Sequence, residues 1–437
     1  MGIIRLAKNG GLMKKIIISL MVILATGILS GCQGRASARL TVYFVEDEAN
    51  FYYSYMAKYM AEHSDVEIDM KKYSDIDEME TQLVAAISGG KSPDVVLLDE
   101  RTSLDAAKMV QDGQFLDLTP YMDGYTEEKY YTDILDAVKT GENQYILPVG
   151  YAVPGLFTSR EAGVYQEGMD GREFMESFRI LMDEEDGSGQ RAVLYPMCQA
   201  EFSHWLDYLG IPLAKGRQGM IDEDGVRAAA GFYRAFLGSV ENGQRLQQRY
   251  ASDFVTAADK IDIFMGRGYL PGYARYYESV YRAGLHKEFV LGTIPAYEGG
   301  VNAVITHFGM VSQSTGRKEQ AVSFLLGLLD ANLLDTCGLE VPVSLSREVT
   351  ADQVNLMEKS KGKKIQIGSG TIQIDYLSEE MGEQVLKILD RVSGAALPNA
   401  GVAEILNESM APYFEGYGNL EECMEQIKRR LSIYVSE

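Results

Sequence analysis

Residues 40–100 alternate strand-like and helix-like patterns in an order that few architectures accept. Residues 40–45 (LTVYFV) are short, rich in β-branched and aromatic side chains, and followed by acids, which marks a strand. Phe51, Tyr55, Met56, Tyr59 and Met60 then recur at helical spacing, so an amphipathic helix is expected over 48–63. Residues 66–70 (VEIDM) alternate apolar and polar, as a half-buried strand does. Ser74 with Asp77 three positions on resembles a capping box. Ile76, Met79, Leu83 and Ile87 form the stripe of a second helix, which Gly89-Gly90 stops. Pro93 then leads into 94–98 (DVVLL), a nearly continuous apolar run that suits a strand covered on both faces. This β-α-β-α-β unit predicts an α/β fold with a mostly parallel sheet. In such sheets ligands sit beyond the carboxyl ends of the strands, which here carry Glu46, Asp47, Asp99, Glu100 and Arg101.

A chain of 437 residues is too long for one ordinary core, so more than one domain is expected. Its 41 basic and 63 acidic residues give a net charge of −22; without residues 1–31, which hold four basic residues and no acid, the balance is 37 − 63 = −26. A body this acidic repels phosphate backbones, which argues against nucleic acid as a partner. Lys14-Lys15 followed by the apolar residues 16–28 has the layout of a secretory signal, with Met13 a natural start for it and Met1 the other candidate. The apolar run is shorter than the roughly 20 residues of a spanning helix. Leu29-Ser30-Gly31-Cys32 resembles a bacterial lipobox, in which Cys32 would carry the lipid, leaving 33–39 (QGRASAR) as a polar tether. The expected location is the outer face of the cell membrane, lipid-anchored.

Downstream, strands are expected at 144–149 and 155–159 with Gly and Pro between them, which suggests a hinge or crossover. Helices are expected near 130–138, 174–183, 224–237, 318–329 and 420–431, and strands at 191–197, 291–294 and 301–311. Residues 264–277 (FMGRGYLPGYARYY) mix Gly, Pro and aromatics, as a ligand-facing loop does; residues 341–345 form another crossing, and the remainder reads as helical apart from 361–370.

No catalytic or metal motif stands out. Cys198, Cys337 and Cys423 are widely separated and odd in number, so no disulfide framework or metal site is expected. His63, His204, His286 and His307 show no ligand spacing. Residues 85–92 (AAISGGKS) imitate a phosphate-binding loop but lie between a helix and a strand, the reverse of the needed order. A glycosidase using two carboxylates is the enzyme alternative, and no sequence motif supports it. No cofactor is implied.

Several pieces, in order, resemble the extracellular solute-binding proteins of ABC importers, the group that includes maltose-binding protein. They are the opening strand and helix, Ser92-Pro93-Asp94-Val95-Val96, Tyr145-Ile146-Leu147-Pro148 before the hinge, residues 264–269, Lys318-Glu319-Gln320-Ala321-Val322-Ser323-Phe324, and Val341-Pro342-Val343. The resemblance implies a two-lobed periplasmic-binding-protein-like fold. One lobe would comprise 40–151 with 300–335, the other 152–299 with 336–437, joined by crossings near Tyr151, Tyr297 and Pro342. It implies a monomer that closes on a small ligand, with a carbohydrate the default, and docks on a membrane permease; a sensor of the same fold is the alternative. Aligned by motif, the family's cleft positions fall at Glu46, Asp47, Asp99, Glu100, Arg101, Tyr151, Glu201, Phe202, Tyr273, Arg275 and Tyr276. The family often has a tryptophan-rich loop near 273–276, whereas Trp205 is the one tryptophan here.

Overall fold

The computed structural model describes residues 38–45, 51–183, 193–194, 201–212, 221–249, 263–266, 269–282, 288–331, 342–367 and 370–436. Its opening elements are β1 (Ala38–Val45), α1 (Phe51–Glu62), β2 (Val66–Tyr73), α2 (Ile76–Ser88) and β3 (Val95–Asp99), the unit read from the sequence. β1 pairs in parallel with β2 from Ala38↔Val66 to Val45↔Tyr73, and with β3 at Val42↔Val95 and Tyr43↔Val96. All five residues of β3 are buried, as its unbroken apolar run requires. The cap of α2 is Asp75 rather than Ser74: its carboxylate accepts from the Asp77 and Glu78 backbone N–H groups at 2.8 and 3.3 Å. An N-cap must bond two or three residues ahead, and Asp75 has that reach for a helix starting at Ile76.

The chain continues through α3 (Ala106–Gln111), α4 (Thr132–Asp136), β4 (Leu147–Ala152), β5 (Gly155–Ser159), α5 (Gly171–Asp183), β6 (Val193–Leu194), α6 (Phe202–Tyr208), α7 (Glu223–Arg249) and β7 (Ile263–Gly266). It then forms α8 (Leu270–Arg282), β8 (Phe289–Thr293), β9 (Val301–Val311), α9 (Lys318–Leu326), α10 (Arg347–Lys359), β10 (Lys364–Ile367) and β11 (Gly370–Gln373). It closes with α11 (Glu379–Leu389), β12 (Val392–Ala396), α12 (Ala400–Phe414) and α13 (Leu420–Ser436). One sheet has the order β12-β9-β3-β1-β2 with β4 also paired to β9; the other has the order β6-β7-β5-β8. β10 and β11 form a separate antiparallel hairpin. The fold is therefore the two-lobed α/β arrangement expected.

Three expectations are corrected. The second sheet is largely antiparallel: β5 runs against both β7 and β8, and only β6 and β7 are parallel. Within the tract 264–277, residues 264–266 close β7 and Leu270 opens α8, whose apolar side chains Leu270, Ala274, Tyr277 and Val280 are buried at helical spacing. Residues 392–396 form β12, although their small side chains carry no strand signal; pairing to β9 from Val392↔Val301 to Ala396↔Val304 creates the strand.

Two apolar clusters fill the molecule. One packs around β1, β3, β4 and β9 and runs on through α8, α10 and α11; the other joins α5, α6, α7, α12 and α13. The apolar side chains of Val354, Met357, Leu377, Val385 and Ile388 thus belong with the first cluster. Between the sheets the chain crosses from β4 into β5 and from β8 into β9. The crossing at Val343 pairs with Tyr151 through two backbone bonds of 3.0 and 3.1 Å. At Gly150 the crossings approach so closely that a Cβ would stand 2.6 Å from the Cβ of Pro342.

Candidate functional site at the junction of the two sheets

β9 runs past the end of β3. It pairs antiparallel with β3 down to Asp99↔His307, and its residues 301–304 continue beyond, where β12 takes over. The carboxyl end of β3 therefore points into the junction between the sheets. The buried Asp99 carboxylate accepts the Arg101 backbone N–H at 2.9 Å and the Arg101 guanidinium at 2.9 and 2.6 Å. Burial alone would raise the Asp99 pKa, but these bonds and the Arg101 charge leave it below the usual carboxylate range. Arg101 itself is more than half exposed, so the pair presents a guanidinium at the strand end.

Opposite Asp99 stands His307, buried beside the rings of Phe51 and Tyr52 at centroid distances of 6.1 and 5.7 Å. Burial pushes its pKa down to about 4, with Asp99 opposing and Arg101 assisting, so the ring is neutral at pH 7. Its Nδ1 lies 3.0 Å from Thr306 Oγ1. Glu100 donates its backbone N–H to Thr306 at 2.9 Å, which fixes the strand end to β9.

From α6, whose apolar side chains pack in the second cluster, comes Asp207, near the helix C-terminus. Desolvation, then the nearby Glu100 charge, pushes its pKa up to about 7. The partial negative charge of a helix C-terminus acts in the same sense. Its backbone carbonyl accepts from Asn302 Nδ2 of β9 at 2.6 Å, and a Cβ on Gly210 would lie 3.1 Å from Asn302 Cγ, so α6 is tied to the crossing strand. The junction thus gathers a carboxylate paired to a guanidinium, a neutral imidazole with aromatic neighbours, and a carboxyl poised between its two forms. Such a set offers donors and acceptors to a polyhydroxylated molecule.

The other expected residues fall as follows. Tyr151 is fully buried in β4, edge-on to Tyr131 at 5.7 Å, and burial raises its pKa far above the usual value, so in this structure it packs as a core residue. Phe202 packs on Tyr233 and Phe414 in the second apolar cluster, because α6 turns that face inward. Glu201 is exposed just before α6; its backbone N–H donates to His204 Nδ1 at 3.2 Å and its carboxylate accepts from Asn407. Arg275 is buried, donating to the carbonyls of Asp375 at 2.8 Å and of Ser360, so it fastens α8 to the segment around the β10–β11 hairpin. Tyr273 packs against Gly155 and Gly266, where a side chain on either glycine would collide with or touch it. Tyr276 is half-buried, and burial with the neighbouring Tyr273 raises its pKa to about 12. Glu46, Asp47, Cys32, Cys198 and Cys337 lie outside the described residues; Cys423 is buried.

Of the expected site residues, Asp99, Glu100 and Arg101 are brought together. His307, Asp207 and Asn302 join them without having been singled out for it, since each reaches the junction only through long-range pairing. Among the described residues no group of three or more His, Cys, Asp or Glu side chains is arranged to hold a metal ion. No helix among them is long and apolar enough to cross a membrane.

Residues 45–325 match the family model described as bacterial extracellular solute-binding protein. Among curated proteins none matches the sequence. Similar solved structures include the sugar-binding protein MalE from Xanthomonas citri, at 14% identity and TM-score 0.63 over 91% of this chain and 98% of that one. A family 1 extracellular solute-binding protein from Alicyclobacillus acidocaldarius is similar at 16% identity and TM-score 0.59, over 92% and 99%. The galacto-N-biose-/lacto-N-biose I-binding protein of the ABC transporter from Bifidobacterium longum, in complex with lacto-N-biose, aligns at 13% identity and TM-score 0.56 over 90% and 96%. At such identities the structures attest the fold, while the family model covers well over half of the sequence. With two α/β lobes meeting at a polar junction, the chain belongs to the bacterial extracellular solute-binding proteins.

Proposed function

We propose that this protein is a lipid-anchored binding protein that captures a small carbohydrate in the junction between its lobes and delivers it to the permease of an ABC importer. The observation that supports this most is the cluster of Asp99, Arg101 and His307 at the end of β3, with Asp207 of α6 close enough to the adjacent Glu100 to feel its charge. Groups divided between two bodies bind fully only when the bodies close, so ligand binding and closure are one event. The jaws are residues 40–151 with 300–335 and residues 152–299 with 336–437, although Phe157, Phe264, the buried face of α8, Leu291 and the side chains from Val343 to Val392 pack in one cluster with the first. Neutral hydroxyls suit the site: an ionised Asp99–Arg101 pair, a neutral His307 and a half-titrated Asp207 supply both donors and acceptors. The chain performs no covalent chemistry in this reading, and it acts as a monomer. Cys32 carries the anchor that keeps it beside the permease, outside the cell.

Trp205 is fully buried among Phe232 and Phe236, which makes its fluorescence a poor reporter of the junction. Calorimetric titration is the better test. At least one of lacto-N-biose, maltose or β-1,6-galactobiose, or an oligosaccharide built from their units, binds, and Arg101→Ala weakens that binding at least ten-fold while leaving it measurable. If no neutral sugar binds while a peptide or polyamine does, the carbohydrate assignment fails.

A further inference from the structure

The loop that carries Arg101 is held by a residue outside the junction. Glu80 lies on α2, four residues after Ile76 and three before Leu83, on the helix stripe that is otherwise apolar. It is buried, with 6% of its surface exposed. Its Oε1 accepts Thr102 Oγ1 at 2.6 Å and the Ser103 backbone N–H at 2.7 Å, and its Oε2 accepts Ser103 Oγ. Thr102 Oγ1 in turn accepts the Leu104 N–H at 3.3 Å, and the Thr102 N–H returns to the Asp99 carbonyl at 3.1 Å. A buried carboxylate is costly unless its oxygens are satisfied, and these oxygens are satisfied by loop 102–103. That loop immediately follows Arg101. We propose that Glu80 is a positioning residue: from within the first lobe it sets the path of residues 100–104, and so the direction in which Arg101 is offered to ligand. The proposal rests on the reading of the junction as the binding site. A stake of this kind keeps the loop in one conformation before ligand arrives, so less ordering has to be done on binding.

The test uses Glu80→Ala and Glu80→Gln in the full chain, with the sugar of the panel above that binds most tightly. Glu80→Ala lowers affinity at least ten-fold. Glu80→Gln keeps a carbonyl acceptor for Thr102 and Ser103 and stays within three-fold of the parent. In a double-mutant cycle with Arg101→Ala, the losses in affinity are non-additive while the changes in unfolding midpoint add, since the two side chains do not touch. A merely structural Glu80 would give additive losses in both. An affinity loss below ten-fold for Glu80→Ala, or additive affinity losses, overturns the proposal. If no panel sugar binds, the carbohydrate reading falls separately, and amide exchange decides. The Arg101 N–H bonds to Asp99 and not to Glu80, so its faster exchange in Glu80→Ala supports positioning, and unchanged exchange refutes it. Should Glu80→Ala not fold, Ser103→Ala, which removes only the bond to Oε2, takes its place with a three-fold threshold.

Discussion

Asp207 and His307 titrate abnormally for the same reason, burial, yet they act on stability in opposite directions. Asp207 binds its proton more tightly in the folded chain, so its contribution is full below about pH 4 and is lost as pH rises to about 7. His307 binds its proton more weakly when folded; its contribution is full above about pH 6.5 and is lost as pH falls towards about 4. At about 1.4 kcal/mol per unit, the Asp207 swing is at most about 4.5 kcal/mol and the His307 swing at most about 3.5 kcal/mol. The two offset each other across the same window. Asp207→Asn therefore exposes a stability that climbs with pH between about 4 and 6.5, and His307→Gln exposes one that declines. Urea midpoints of both variants across that range check this; parallel profiles for the two variants would contradict it.

Elements at the junction are joined by close backbone approach and by a few polar contacts. Gly150 touches Pro342 where two crossings meet, and a methyl group there has to push β4 and the 342–345 crossing apart. Gly150→Ala should cost about 1–3 kcal/mol, the usual cost of overpacking, and, under the proposed closure, should change ligand affinity as well. Denaturant unfolding together with calorimetry tests both parts. On the far side of β12, the Tyr434 hydroxyl of α13 lies 2.8 Å from Asp105 Oδ2 and 3.0 Å from Asn399 Oδ1, while Asn399 Nδ2 donates to Asp105 at 3.2 Å. Asp105 caps α3, so this cluster ties α13 and the start of α12 to α3. Tyr434→Phe should destabilise by about 1–2 kcal/mol. A drop in midpoint with unchanged circular dichroism is the expected result.

For the whole molecule, a net charge of −22 and two separately packed clusters suit a protein that meets a small ligand and a membrane partner rather than nucleic acid. Export and anchoring are tested without the ligand. Cys32→Ala moves the protein from the membrane to the soluble fraction and leaves its unfolding curve unchanged; retention in membranes after a high-salt wash would defeat the anchor assignment. If the proposed closure takes place, ligand saturation shrinks the scattering radius of the full chain.

The β-α-β-α-β unit and the run into β9 are legible in the sequence. Hydrophobic periodicity is a local property, and each of these segments carries its own. Asp99, Glu100 and Arg101 are legible for a related reason: the end of a buried strand in an α/β sheet is a position that pattern alone can locate. Tyr151, Phe202 and Arg275 show the limit, since an aromatic or a guanidinium reads the same whether it meets ligand or core, and only the packed neighbours decide. β12 has no strand signal of its own and exists because β9 offers it an edge. Asp207, His307 and Glu80 acquire their roles from partners on other elements, and Asp105 meets Tyr434 across 329 residues of chain. Charge, burial and pairing at the junction are properties of groups brought together by folding, which is why tertiary structure alone settled them.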